Sequence, residues 1–500
     1  MAAHLFAAID VGSFELEMGI YETTSRNGLR EIDHLRHVIS LGRDTYHTGK
    51  ISYHLVDEMC QVLEEFAQVM KSYQVEDYRA YATSAMREAK NSQIILEQIR
   101  VRTGIQVQVI SNSEQRFLGY KAIAMKEAEF QKIIQKGTAI ADVSFGSLQI
   151  SLFDKDSLVS TQNIQQGILR LRENLSGVWS DRQTVLGIFE DMVDNELYAF
   201  KKMYLKDRDI KNLICIGESI LYLARDEVAG KRVDRISAAD FQKFYEKLIQ
   251  MPVDQIEDRF GVNQEYAHLL IPAAIIYKQI LEMTGAEMLW VPGIRMCDGI
   301  AADYAEKQKY LKFTHNFDDE ILSASRNMAK RYRCNTSQKI ENYALQIFDA
   351  MKKFHGLGTR ERLLLQIASI LHDCGKFISL RDSSACAYNI IMATEIIGLS
   401  HAEREIVAEV VRCNLDAFRY GEGSIRAGKL TAMLRLANAM DRSHHGRLDD
   451  GKLQVKGNKL IISTSYAGNL ALETMAVEDK ADFFEEMFGI RPEIRQKRRV

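Results

Sequence analysis

The sequence predicts an α/β protein whose N-terminal part is duplicated and whose C-terminal part is mainly helical. Residues 5–21 and 138–153 each read as an apolar strand, a turn rich in small residues that follows an aspartate, and a second, alternating strand. Strands then alternate with helical segments, which is typical of α/β layers. After Asp303 helices follow one another in series. A repeat on this scale predicts two folding units whose turns face a shared cleft.

The elements between and after the two hairpins follow from hydrophobic periodicity. In the first unit we expect a helix at 52–73, a strand at 78–82, a helix at 91–103, a strand at 106–110 and a helix at 113–127. In the second we expect helices at 181–205, 237–249 and 264–284, with strands at 212–216 and 288–291. The series of helices covers 317–331, 335–354, 360–373, 384–397, 401–413 and 428–441. Residues 453–455 and 459–463, joined through Gly457-Asn458, predict a small β-hairpin.

Composition excludes several classes of protein. The chain has 500 residues, and its 65 basic and 68 acidic residues give a net charge of −3, so no overall field attracts nucleic acid. The seven cysteines include no CxxC pair, which argues against a zinc knuckle or a disulfide framework. No signal peptide and no apolar run of about 20 residues is evident. We expect a soluble, cytoplasmic protein that binds neither membranes nor specific nucleic acid.

The turn of the first hairpin has the chemistry of a phosphate site. Gly12 lets the backbone approach an anion, Ser13 adds a hydroxyl donor, and Asp10 can hold a divalent cation. Such a turn is common without any ligand, but its echo at Asp142, with Gly146 and Ser147, strengthens the interpretation.

Two further strand-to-helix junctions carry polar residues. Thr83, Ser84 and Arg87 could form an anion site, or they could cap a helix that has a surface arginine. At the second junction Glu114 could act as a general base, or it could complete a helix cap, and chemistry alone favours the cap.

In chain order the segments DVGS, LGRDTYHTGKIS, ATSAMREAKN, VISNSEQ and DVSFGS resemble the exopolyphosphatase/guanosine pentaphosphate phosphohydrolase (Ppx/GppA) family. The resemblance implies two actin-like (ribonuclease H-like, ASKHA) lobes at 1–126 and 127–305, followed by a helical HD-like domain at 310–500. It also implies Mg²⁺ or Mn²⁺ as cofactor, a homodimer, and hydrolysis of the terminal phosphate of polyphosphate or of a guanine alarmone.

The resemblance assigns roles to individual residues. Glu114, Arg87 and Asp142 are expected to be catalytic, and Asp10 and Asp142 to hold the metal. The expected phosphate-binding residues are Asp10, Gly12, Ser13, Thr83, Ser84, Gly146 and Ser147.

The sequence departs from the family where the chemistry is expected. Gln115 and Gln149 stand where the family has glutamates, and an amide cannot accept a proton from water near neutral pH. Phe145 stands where the family has a glycine, and Glu218 would repel phosphate from a third turn. Glu114, one position before Gln115, is the candidate substitute base.

The helical domain contains part of an HD signature. His372 and Asp373, with Asp441 further on, could be partial metal ligands. No histidine occurs between His315 and His355, where the first ligand is expected, and a buried His-Asp pair is also a common structural feature. Two functions therefore stay open: a phosphatase with weakened activity, or an inactive family member that binds a phosphate-rich ligand as a regulator or scaffold.

Overall fold

The structure is a computed structural model. It describes residues 4–24, 28–155, 157–174, 182–206, 208–224, 232–313, 315–334, 338–418, 420 and 424–496. The chain forms two compact units, residues 1–316 and 317–500. The first residues of the predicted helices 181–205 and 335–354 lie outside the described residues.

The first sheet of unit 1 has five strands in the order β3-β2-β1-β4-β5. Its strands are β1 His4–Val11, β2 Glu15–Thr24, β3 Gly28–Val38, β4 Asp77–Ala82 and β5 Val107–Val109. β1 pairs antiparallel with β2 and parallel with β4. We call the part of unit 1 that is built on this sheet lobe I.

The second sheet has six strands in the order β10-β11-β9-β6-β7-β8. Its strands are β6 Thr138–Val143, β7 Leu148–Asp154, β8 Ser157–Ile164, β9 Asn212–Ile216, β10 Arg235–Ser237 and β11 Met288–Trp290. β6 pairs antiparallel with β7 and parallel with β9, as β1 does with β2 and β4. The order β8-β7-β6-β9-β11 thus repeats that of the first sheet, which confirms the duplication, and we call this part lobe II.

Helices cover the sheets of unit 1, as expected for strands that alternate with helices. They are α1 Leu41–Thr48, α2 Tyr53–Ser72, α3 Ser84–Glu88, α4 Ser92–Thr103, α5 Asn112–Ala124, α6 Glu127–Ile134, α7 Ile168–Asn174, α8 Arg182–Phe200 with a π-helical extension at Lys201–Leu205, α9 Glu218–Leu223, α10 Ala238–Leu248, α11 Val253–Phe260, α12 Gln264–Thr284 and α13 Met296–Lys307. Each lobe has its own apolar core, to which Phe66 of α2 and Ile276 of α12 contribute.

Helix α13 packs against lobe I, although it follows lobe II in the sequence. Its Ile300 joins Phe6 of β1 and Leu118 of α5 in a separate buried cluster. Nearby, the ammonium of Lys121 lies 2.7 Å from a carboxylate oxygen of Asp303 in a buried ion pair that also links α5 to α13.

Unit 2 is mainly helical and ends in a small sheet. Its helices are α14 Phe317–Arg331, α15 Lys339–Ala350, α16 Lys352–His355, α17 Thr359–Leu371, the 3₁₀ turn Cys374–Phe377, α18 Ser383–Ala393, α19 His401–Cys413, α20 Ile425–Met440 and α21 Ala471–Phe488. The sheet has the order β12-β13-β14, with β12 Lys452–Lys456, β13 Lys459–Thr464 and β14 Arg491–Gln496. The expected hairpin is formed by β12 and β13, and β14 extends it to a three-stranded sheet by pairing parallel with β13.

None of the helices in the described part of the chain combines the length and the apolarity needed to cross a lipid bilayer.

Candidate functional site

The turns of the two hairpins meet at a cavity of about 90 Å³ in unit 1. Of the residues expected to bind or transform phosphate, those that line this cavity are Asp10, Gly12, Ser13, Thr83, Ser84, Asp142 and Gly146, and Gln115, where the family has a glutamate, also lines it. The structure thus brings most of the expected phosphate-binding residues together. Among the described residues, Arg87, Glu114, Ser147 and Gln149 do not line the cavity.

Three hydroxyl groups at the cavity are hydrogen-bonded to one another. Ser13 Oγ lies 2.7 Å from Ser84 Oγ and 2.8 Å from Tyr46 Oη, and it accepts a bond from the backbone N–H of Ala85. A Cβ atom at Gly146 would lie 2.0 Å from Tyr46 Oη and 2.2 Å from Ser84 Oγ. Glycine is required here because the loop of lobe II lies directly against the hydroxyl cluster of lobe I.

Glu114 does not face the cavity, contrary to the expectation that it substitutes for a general base. Ser111 Oγ accepts a bond from the Glu114 N–H, and the Glu114 carboxylate accepts one from the Ser111 N–H at 2.9 Å. This capping box begins α5. The side chain one position later, Gln115, is the one that lines the cavity, because consecutive residues of a helix point about 100° apart.

Arg87 is also engaged away from the cavity, so the expectation that it is catalytic is not supported. Its guanidinium donates to the backbone carbonyl of Ile110 at 2.7 Å and to the side-chain oxygen of Asn112. These bonds tie the end of α3 to the start of α5, which gives the arginine a structural role.

Two of the site positions in lobe II, Gln149 and Asp142, each accept a hydrogen bond. Gln149 is 1% exposed, and its Oε1 accepts a hydrogen bond from Arg116 Nε at 3.0 Å. Asp142 accepts a bond from Ser144 Oγ at 3.0 Å. Burial raises the pKa of Asp142, although the Ser144 bond and the charge of Arg116 oppose this rise. The Ser147 hydroxyl is buried without a partner among the described residues.

An aromatic cluster joins the two lobes beside the cavity. The ring of Phe14, from the turn of lobe I, lies 4.7 Å from the ring of Phe145 and 5.7 Å from that of Tyr266, both of lobe II. Phe14 is 0% exposed and belongs to the core of lobe II. We call Phe14, Phe145 and Tyr266 the aromatic clamp, because these rings hold the two turns together.

An ion pair reinforces the same junction. Arg170 of α7 donates two hydrogen bonds to the carboxylate of Glu88, at 2.8 and 2.9 Å. Its guanidinium also lies 3.9 Å from the centre of the Tyr46 ring. Both contacts to Glu88 come from Nη2, while Nε donates to the Gly146 carbonyl at 3.2 Å, so the guanidinium is fixed by two partners and by the ring on which it stacks.

Three glutamates that the sequence did not single out as ligands form the acidic part of the cavity. Glu15 and Glu17 project from β2, and Glu218 begins α9. One carboxylate oxygen from each lies within 4.8 Å of the others. We call Glu15, Glu17 and Glu218 the glutamate cluster.

The electrostatics of this cluster are unbalanced. Burial, followed by the charge of Glu17, raises the pKa of Glu218 to about 8. Burial also raises the pKa of Asp10 well above its ordinary value, with further contributions from Glu17, Glu218 and Asp142. Arg36 Nε lies 2.9 Å from a Glu15 oxygen and offsets part of the repulsion.

The strand register relates Glu17 of the cluster to Gln149, where the sequence departs from the family. In lobe I Asp10 pairs with Glu17, and in lobe II Asp142 pairs with Gln149. Both pairs are seven residues apart in the sequence. Comparing the two hairpins position by position would have identified Glu17 as the carboxylate equivalent of Gln149.

Comparison with known proteins assigns the chain to a family. Residues 20–302 match the Ppx/GppA phosphatase family, and residues 323–478 match Ppx/GppA phosphatase, domain III. The chain belongs to the Ppx/GppA phosphatase family. It is similar to the guanosine-5'-triphosphate,3'-diphosphate pyrophosphatase of Photobacterium profundum, with 22% identity over 95% of this chain and 94% of that protein. A Vibrio vulnificus protein of the same name is 20% identical over 92% of this chain and 91% of its own length.

Solved structures of Ppx/GppA proteins share the fold. An Aquifex aeolicus family member covers 63% of this chain and 100% of its own length, with a TM-score of 0.51 and 22% identity. An exopolyphosphatase from Cytophaga hutchinsonii covers 61% of this chain and 98% of its own length, with a TM-score of 0.54 and 17% identity. At these identities the likeness supports the actin-like α/β fold alone.

The metal site expected in unit 2 of this Ppx/GppA protein stays a prediction, and His372 Nε2 lies 3.6 Å from Asp373 Oδ1. Within the part of the chain that the structure describes, no group of three metal-ligating side chains includes His372, Asp373 or Asp441. His372 Nδ1 donates to the Ser369 carbonyl at 2.7 Å, and burial lowers the pKa of its imidazole. Asp441 accepts a bond from the Gly446 N–H at 3.0 Å. These contacts give His372 and Asp441 structural roles.

Proposed function

We propose that the protein hydrolyses the terminal phosphate of inorganic polyphosphate or guanosine pentaphosphate. The observation that carries this proposal is the convergence of the two hairpin turns, with Asp10 and Asp142, on one cavity. Family membership over both units supports the reaction class, and the names of the relatives support guanosine pentaphosphate as a substrate.

The size of the cavity supports attack on a chain end. Pockets that enclose a whole drug-sized ligand typically have volumes of about 300–1,000 Å³. The cavity has about 90 Å³, so it suits a phosphate group while the rest of the substrate stays outside. Both candidate substrates offer such a terminal phosphate.

Asp10 is the residue that we propose as proton acceptor for the attacking water. Its Oδ1 has no hydrogen-bond partner among the described residues, and the side chain lines the cavity. The pKa of Asp10 is raised toward neutral pH, and a general base is most effective when its pKa lies near the operating pH. Gln115 cannot take this role, since an amide does not accept a proton from water near neutral pH.

The charge of the cavity supports a requirement for a cation. Its described lining includes five carboxylates, those of Asp10, Glu15, Glu17, Asp142 and Glu218, against the guanidinium of Arg295. A phosphate anion would be repelled by such a lining. Mg²⁺ or Mn²⁺, when bound, would neutralise charge on the phosphate oxygens.

A homodimer, which the resemblance implies, stays a proposal that sedimentation velocity can test.

The experiment measures phosphate release from polyphosphate and from guanosine pentaphosphate, each with Mg²⁺ or Mn²⁺. Asp10→Asn should lower the rate by about 10²–10⁴-fold, because it removes the base. Glu114→Gln is the matched control, and it should retain the parental rate because glutamine also completes a capping box. Equal rates for Asp10→Asn and the parent protein would refute the assignment of the base.

The second candidate function is an inactive member that binds a phosphate-rich ligand. The amides of Gln115 and Gln149 at two expected carboxylate positions favour it. If neither substrate is hydrolysed but guanosine pentaphosphate raises the melting temperature, this candidate replaces the first.

A further inference from the structure

We propose that the glutamate cluster, Glu15, Glu17 and Glu218, is a binding site for a divalent cation of the Mg²⁺ or Mn²⁺ class. Two of the three ligands belong to lobe I and the third to lobe II. Its ligands differ from the pair expected from sequence, Asp10 and Asp142, although all five carboxylates line the same cavity. It does not depend on the proposed hydrolysis, since a protein without activity can still bind the ion.

The geometry of the cluster fits a small hard cation. One oxygen from each glutamate lies within 4.8 Å of the others. Ligands on opposite sides of Mg²⁺ lie about 4.2 Å apart, at about 2.1 Å each from the ion, so only small side-chain movements are needed. Carboxylate oxygens are ligands that Mg²⁺ and Mn²⁺ prefer over the nitrogen and sulfur ligands typical of zinc.

Burial distinguishes this cluster from acidic patches on a solvated surface. Glu15 is 5% exposed and Glu17 is 3% exposed. Glu17 Oε1 has no hydrogen-bond partner within the described part of the chain. Leaving a buried carboxylate oxygen without a partner is costly, and a metal ion would supply the missing interaction.

An amide outside the cluster provides an independent indication of a ligand. Gln115 is 8% exposed and lines the same cavity, and its Oε1 is buried without a hydrogen-bond partner among the described residues. Asp10 Oδ1 is also buried without a hydrogen-bond partner among the described residues. Two unpartnered oxygens from different elements thus adjoin the cavity into which the glutamates project.

The local charge leaves a surplus of negative charge that favours a cation. The cluster and Asp10 carry four negative charges when ionised. Arg36 lies 2.9 Å from a Glu15 oxygen, and Arg295 lies 3.8 Å from a Glu218 oxygen. With Asp142, which lines the same cavity, five carboxylates outnumber these two arginines when ionised. A divalent cation would offset part of this surplus of negative charge.

The test is a titration of the full-length protein with Mn²⁺, followed by electron paramagnetic resonance of the free ion. We expect Glu17→Gln and Glu218→Gln each to weaken binding by about tenfold or more, since each removes a ligand. Glu22→Gln is the matched control, because Glu22 lies on the same strand and pairs with Arg30 instead. Asp373→Asn controls for binding in unit 2. Both controls should bind as the parent does.

Thermal melting gives a second measurement that separates loss of the site from loss of the fold. Without metal, Glu17→Gln should melt at or above the temperature of the parent, because it removes repulsion within the cluster. With Mn²⁺ the melting temperature of the parent should rise, and that of Glu17→Gln should rise less or not at all.

Two results would overturn the proposal. One is that the parent protein binds no Mn²⁺, or binds it with an affinity that neither Glu17→Gln nor Glu218→Gln lowers. The other is that Asp373→Asn abolishes binding while both cluster variants retain it. Failure of phosphate release with intact, cluster-dependent Mn²⁺ binding would refute the proposed hydrolysis and leave this site standing.

Discussion

Replacing Phe14 with alanine should weaken unit 1 by about 4 kcal/mol. The ring is fully buried and contacts Phe145 and Tyr266 at centroid distances of 4.7 and 5.7 Å. Truncation of a buried phenylalanine to alanine typically costs about 3–5 kcal/mol, which includes the loss of aromatic pairs worth about 0.5–1.5 kcal/mol each. At about 2 °C per kcal/mol for a unit of this size, the melting temperature should fall by about 8 °C.

The position of Phe14 predicts more than a loss of stability. The residue belongs to the turn of lobe I, but its neighbours form the core of lobe II. Its removal should therefore uncouple the lobes, so that the transition of unit 1 broadens or splits in differential scanning calorimetry. Phe66→Ala is the matched control, because Phe66 is 3% exposed within the core of lobe I. It should lower stability by a similar amount without additional uncoupling.

A destabilisation below about 1 kcal/mol for Phe14→Ala would refute this reasoning, because it would mean that the clamp does not hold the ring in a packed site. Identical transition shapes for the Phe14 and Phe66 variants would refute the coupling of the lobes, even if both were destabilised.

Three other predictions concern ion pairs and a buried imidazole. Arg170→Lys should lower stability by about 1 kcal/mol in urea denaturation, because a single ammonium cannot bond both Glu88 and the Gly146 carbonyl as Nη2 and Nε of Arg170 do. A Glu88→Gln background should remove the part of that difference that comes from the ion pair. Lys121→Met should lower the free energy of unfolding by about 3 kcal/mol near pH 7. Burial acts to raise the pKa of Asp303, but Lys121 helps to lower it and the net result is a lowered pKa. The ion pair therefore stabilises the fold above about pH 3.9, and the difference from the parent should shrink as acid protonates Asp303. Burial lowers the pKa of His372. Below about pH 6.5 the unfolded chain binds a proton that the folded imidazole excludes, so the stability of unit 2 should fall with the pH. A His372→Gln variant whose stability fell with pH as steeply as that of the parent would contradict this.

Sequence patterns predicted the elements whose apolar faces are regular. The predicted helices 264–284, 317–331 and 401–413 have the bounds of α12, α14 and α19. Each buries one stripe or, for α12, nearly its whole surface, so its periodicity is clear. β3 was missed because its residues are half-buried or exposed along its length, and an edge strand of this kind lacks apolar alternation.

The site was predictable in position but not in composition. The echo of Asp10 at Asp142 located the cavity, because duplicated turns converge at a shared cleft. Glu15 and Glu17 were missed because alternate residues on β2 read as a solvated face, whereas both side chains are buried in the structure. The role of Glu114 as a cap, which chemistry favoured, depends on one side-chain orientation that the sequence left open.

The packing of α13 has a consequence for synthesis of the protein on the ribosome. Lobe I lacks the partner for one face of β1 until residues 296–307 have been made, because Ile300 completes the cluster around Phe6. From the end of β5 at Val109 to Lys307 the ribosome adds 307 − 109 = 198 residues. At about 5–20 residues per second this takes about 10–40 s. During that interval the nascent first lobe exposes an apolar surface, and chaperones that bind such surfaces have their opportunity then.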